Sequence, residues 1–234
     1  MKNFSLVTIS YAVLLSICAS FQSQAQTEGF DVKTPVQTIS DSSSELIKQI
    51  AEDAKADPGT SIPRDLICRA ECILAIPSIQ PVSSRNDYEG TGLLGCLSAD
   101  SGRLAPPIFF RVTNIESFNE NGGGLIILVT DRKGVKSILG DQLQLTPQNT
   151  GGGSVGSQAE VSNLKSFIAY ARPAGAGIKT FDASGSTLVY DSGDTFNAYQ
   201  QDLDPIDIML FGIDVPPALR GFKNAFETLR SGCK

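Results

Sequence analysis

The sequence contains no histidine, no tryptophan and no long run of lysine or arginine. Without imidazole there is no Ser-His-Asp or Cys-His nucleophile, no His-ligated zinc and no imidazole general base. Nineteen basic against twenty-five acidic residues leave a net charge of −6, which argues against nucleic acid as the main partner. Charged residues make up only 19% of the 234 residues and apolar residues 41%, so a buried core is expected and wholesale disorder is not. Glycine (22) and proline (12) are plentiful, which fits many turns and short strands better than a helical bundle.

Lys2 precedes an apolar run, Leu6 to Ala19, followed by the small polar stretch SFQSQAQ, the three-part pattern of a secretory signal peptide. Ser23 and Ala25 supply the small side chains that a signal peptidase takes at the third and first positions before its cut, so cleavage is expected after Ala25. Lipid attachment at Cys18 would need a small residue where Ile17 stands. The run is shorter than the roughly 20 residues that span a bilayer, and no later segment is long and apolar enough to do so. Removing residues 1–25 leaves 209 residues, a charge of −7 and four cysteines, Cys68, Cys72, Cys96 and Cys233. An even number in an exported chain points to disulfides in a periplasmic or secreted protein, with three connectivities open.

Residues 26–41 are polar with little periodicity and read as a flexible tail, so that a single domain is expected over 42–234. Ser42 to Glu45 allow a capping box, after which Leu46, Ile47, Ile50, Ala51 and Ala54 fall on one helical face, ending at the turn around Pro58. A second helix is expected from about Pro63, before the apolar run Ile73–Ile76 meets Pro77. From Tyr88 short β-rich runs alternate with turn residues. Strands are expected at Thr91–Ser98, Pro107–Thr113, a central Leu125–Thr130, Gly153–Glu160, Ser166–Arg172, Gly177–Asp182 and Thr187–Asp191. Asp131 to Leu139 reads as a short helix capped by Asp131 or Thr130. Leu219, Phe222, Ala225, Phe226 and Leu229 stripe a closing helix from about Pro217 to Arg230. The fold class is therefore α+β: a strongly bent antiparallel or barrel-like sheet with two N-terminal helices, a short mid-chain helix and closing C-terminal helices.

The segment SSELIKQIAEDAKADPGTSIPRDLICRAECILAIPSI, through Ile62, Pro63, Asp65, Leu66, Ala70, Ile76 and Pro77, resembles the start of the SYLF domain family. That family occurs in exported bacterial proteins and in eukaryotic lipid-binding proteins. The blocks GTGLLGCLSADSGRLAPPIFFRV, LIILVTDRKGVKSIL, GGGSVGSQAE, SFIAYARPAGAGIKTFDASGSTLVYD and NAYQ follow in the family's order, so the likeness runs from roughly Ser43 to Gln200. Departures fall in the more polar SRNDYEGTG, in FNENGGG, and at Ser157, where the family has Arg. The resemblance implies a non-catalytic domain that buries a phospholipid or other apolar ligand, with a membrane surface as a further partner and no cofactor. An envelope structural or protein-interaction role is the alternative, and a hydrolase using carboxylates or an activated Ser the third. The resemblance also implies a Cys72–Cys96 disulfide, leaving Cys68 and Cys233 for a second one.

Tyr88, Phe109 and Phe118 are candidate lipid-lining residues, each weighed against ordinary core duty. Arg132, Lys133 and Lys136 crowd one short helix and can meet anionic headgroups, although a solvated helix face is their more common meaning. Gly122–Gly124 and Gly151–Gly156 lack the Lys-Ser/Thr ending of a P-loop, so tight turns explain them better than phosphate binding. Asp191 with Asp194, and Asp202, Asp204 and Asp207, lack EF-hand spacing and suit turns and helix caps. No metal site is expected.

Overall fold

A computed structural model describes residues 33–98, 102–119, 121–152, 155 and 164–233. Order begins earlier than the apolar pattern suggests. The first helix, α1 (Pro35–Ala56), starts at a Thr34 cap whose hydroxyl accepts from the Gln37 amide at 3.2 Å, with Pro35 preset for the first turn. The flexible tail expected over 26–41 is thus corrected for residues 33–41; residues 26–32 and the signal segment lie outside the described residues. The cause is the face that α1 buries in its first half. Ser40, Ser43 and Ser44 are buried there, so no apolar stripe marks it. Ser43 donates to the Ala75 carbonyl (3.2 Å) and Ser44 to the Ser40 carbonyl (2.6 Å), which makes the burial of these two tolerable, while the buried Ser40 hydroxyl has no partner.

The helix α2 (Arg64–Arg69) leads into β1 (Cys72–Ile76), a strand buried at all five positions. The short β2 (Gln80–Pro81) and the long β3 (Tyr88–Cys96) follow, then β4 (Ile108–Ile115) and β5 (Gly123–Val129). Next come α3 (Arg132–Ile138), β6 (Gln142–Gln144), β7 (Thr150–Gly152), β8 (Phe167–Pro173), β9 (Lys179–Phe181) and β10 (Thr187–Tyr190). The chain closes with α4 (Ser192–Tyr199), α5 (Pro205–Leu210), a 3-10 turn at Pro217–Leu219, and α6 (Arg220–Arg230).

The ten strands form one strongly curled half-barrel in the order β6-β10-β4-β3-β1-β5-β8-β7, with β2 on β3 and β9 on β8. All pairs are antiparallel except β7 with β8, so the sheet is mixed rather than purely antiparallel. The apolar runs of β1 and β5 pair at the centre, where both faces are covered. The expected strand Gly153–Glu160 lies, apart from Val155, outside the described residues. On one side α1 packs against α6, β1 and β3. Gly95 makes the α6 contact possible, because a Cβ there would stand 2.9 Å from the Phe226 ring.

Both disulfides form. Cys72 and Cys96 are direct partners across β1 and β3, with Cα atoms 4.0 Å apart. Cys68–Cys233 ties α2 to the residue stretch after α6, 165 positions away. Two disulfides are consistent with an oxidising, extracytoplasmic setting. Among the described residues no helix is long and apolar enough to cross a membrane.

Candidate functional site

The fold scatters the residues singled out in the sequence. Phe109, expected to line a ligand site, has no exposed surface and belongs to the core. Tyr88 and Phe118 are half-buried; their rings lie 6.3 Å apart, and Phe118 meets Phe181 edge-on at 5.5 Å, so the three form a small aromatic cluster against the core. Arg132, Lys133 and Lys136 share the exposed side of α3 while Gly134 and Ile138 face inward. Asp131 caps that helix, accepting from the Gly134 amide at 2.6 Å and from the Ser166 hydroxyl at 2.8 Å. None of these six candidates lines the cleft between α5 and α6 or the two clefts beside α1.

The acidic residues serve the helix starts, as their sequence positions suggest. Asp191 caps α4 through the Asp194 amide at 3.0 Å and holds Arg111 at 2.7 Å. Burial and the Asp191 charge together raise the Asp194 carboxyl above its ordinary value. Asp204 caps α5, accepting from Ile206 and Asp207 amides at 2.9 Å each. Among the described residues no group of three or more carboxylates or thiols could hold a metal ion. Gly122 and Gly123 turn the chain into β5 at φ of 72° and 141°, and a Cβ on Gly123 would meet the Arg172 carbonyl oxygen at 2.5 Å. Tight backbone approach, rather than a phosphate cradle, accounts for them.

The widest of the four clefts, about 780 Å³, lies where sequence reading named no site. Three segments build it: the loop before β4, the end of α5 with its linker, and the first turns of α6. Leu104, Pro106, Met209 and Ile213 supply apolar wall; Arg103, Arg220 and Lys223 supply positive charge, with Asp214 the one acid of the lining. The placement follows from local rules. Phe222, Ala225, Phe226 and Leu229 commit one stripe of α6 to the core, so Arg220 and Lys223, three residues apart, share the outer face. Lys223 also reaches Glu227 at 3.6 Å, an exposed pair of small energetic weight. The Tyr199 hydroxyl donates to the Pro107 carbonyl at 2.7 Å, and burial pushes its pKa up. The Tyr190 hydroxyl donates to the Leu203 carbonyl. These two bonds tie the α4–α5 segment to the residue before β4 and to β10.

Beside the cleft stands the largest apolar exposure among the described residues. Leu210 is 68% and Phe211 72% exposed, and Ile206, one turn before Leu210 on the same face of α5, is 49% exposed. Phe196 on α4 is 50% exposed. Gly212, at φ 61°, then turns the chain back toward α6. A sequence signal existed: Ile208 to Phe211 is an unbroken apolar run, more than a six-residue helix can bury on one side. Two smaller clefts, of about 400 and 340 Å³, share Ser42 and Pro77 beside α1 and carry Arg111 and Arg172, each already paired with an aspartate.

Neither a protein-family model nor a curated protein matches this chain. Its class is therefore stated by geometry: an α+β half-barrel with a partly basic surface cleft flanked by exposed apolar side chains.

Proposed function

We propose that this chain is an exported, non-catalytic lipid-binding domain of the SYLF type, released by cleavage after Ala25 into the periplasm or the medium. The observation that carries the reading is the exposure of Leu210, Phe211, Ile206 and Phe196, while the other large apolar side chains among the described residues are at least partly covered. Single exposed apolar residues are ordinary, but a Leu-Phe pair at a helix end beside a cleft with apolar walls is a place for a greasy ligand. The mechanism is physical. Transfer of a Leu or Phe side chain from water into acyl chains contributes about 1.5–3 kcal/mol each. The sequence resemblance, with its ordered blocks from Ser43 to Gln200, supports the same conclusion independently. The ligand is taken at the surface, and the curled sheet acts as the rigid support.

Co-sedimentation of the secreted chain with phospholipid vesicles tests this, alongside native mass spectrometry of protein purified from its source. Binding is expected, and Leu210→Ser with Phe211→Ser should reduce it at least tenfold. Lipid-free protein that ignores every vesicle composition would end the lipid reading. Retention by an envelope protein without lipid would then support the structural or protein-interaction role.

A further inference from the structure

We infer that the cleft between α5 and α6 docks the chain on an anionic lipid leaflet, with Leu210 and Phe211 entering the acyl layer and Arg220 and Lys223 meeting headgroup phosphates. The inference rests on the lipid-binding reading and names the surface and the headgroup charge. Charge complementarity carries it. The secreted chain, of net charge −7, is repelled by an anionic leaflet in most orientations, so productive contact needs a locally basic face. Arg103, Arg220 and Lys223 line this cleft against Asp214, with Glu227 3.6 Å from Lys223, and the most exposed apolar side chains among the described residues stand at its rim.

Two other basic stretches among the described residues lack one of the two components. Arg132, Lys133 and Lys136 on α3 have no large exposed apolar neighbour on their helix, where Ile138 is buried. The amphipathic α1 has its apolar side against α6 and the sheet, and carries Lys48 and Lys55 among Glu45, Glu52 and Asp53. Among the described residues the α5–α6 rim alone combines a hydrophobic anchor with phosphate-seeking cations, the pairing that lets a protein lie on a charged membrane surface.

The test uses the secreted chain with phosphatidylcholine vesicles and with vesicles of phosphatidylcholine and phosphatidylglycerol at 7:3. Each base near a charged surface is worth about fivefold in affinity, so Arg220→Gln with Lys223→Gln should weaken binding to the mixed vesicles about 25-fold. Binding to phosphatidylcholine alone should stay within twofold, and so should thermal stability. Lys133→Gln with Lys136→Gln should leave both unchanged. The chain has no tryptophan, so Phe211→Trp gives a single reporter whose emission should shift blue and be quenched by brominated acyl chains. Equal wild-type binding to both vesicles, undiminished binding by the Arg220/Lys223 variant, or an unshifted Trp emission on bound protein would each overturn the inference while leaving lipid binding intact. Absence of binding to either vesicle would overturn the lipid reading itself, and this inference with it.

Discussion

Gly92 owes its identity to a distance. A Cβ there would stand 2.1 Å from the Ala75 carbonyl oxygen and 2.6 Å from the Ile76 Cα, both rigid backbone atoms of the central strand β1. Gly92→Ala is expected to cost about 3 kcal/mol, read as a lower urea midpoint at unchanged slope. Gly177→Ala, with nothing within 4 Å of the added carbon, should change stability by less than about 0.5 kcal/mol. Equal midpoints for the two variants would mean that β3 slides past β1 without loss. The glycine-rich GTGLLG was legible in the sequence as strand, but which of its glycines is indispensable depends on what β1 places opposite. The same holds for the apolar candidates. Phe109 and Phe211 are one residue type, yet the first is fully buried and the second 72% exposed.

At the scale of elements, α2 shows how a short helix is held. Six residues cannot sustain a helix alone, and the carbonyls at its end need partners. Arg230 of α6 provides them: its guanidinium donates to the Ile67, Ala70 and Cys68 carbonyls at 2.6, 2.7 and 2.9 Å. The positive charge also suits a helix C-terminus. Arg230→Lys keeps the charge but loses the planar fork, and is expected to cost about 2 kcal/mol in equilibrium unfolding. A lysine variant as stable as the parent would show that charge alone suffices. Element existence was readable for both helices from apolar spacing, whereas the capping box read at Ser42–Glu45 lies inside α1, whose cap is Thr34. The start of α1 was not readable, because its first half faces the core with serines whose burial depends on the distant Ala75 carbonyl.

For the whole molecule, the disulfides act on different loops. In the chain-entropy model the Cys68–Cys233 bridge, closing 165 positions, is worth about 5 kcal/mol, and Cys72–Cys96, closing 24, about 3 kcal/mol. Their access differs too. Cys72 and Cys96 are buried, while Cys68 and Cys233 are half-buried. Mild reductant without denaturant should therefore open Cys68–Cys233 first, so that alkylation and mass spectrometry find two labelled cysteines before four. Simultaneous labelling of all four would show that the central strands breathe as readily as the C-terminal tie.

The sequence alone determined the chemistry the chain lacks, since the absence of histidine needs no coordinates to remove imidazole catalysis. It also determined the class of fold, because hydrophobic period and turn residues act within a few positions of one another. Tertiary structure decided the rest. It committed Phe109 to the core, left Leu210 and Phe211 in water, and brought Arg103 to the same cleft as Arg220 and Lys223. Burial and cleft formation are properties of segments far apart in the chain. A site made by the loop before β4, the end of α5 and the start of α6 exists only once the curled sheet has folded them together.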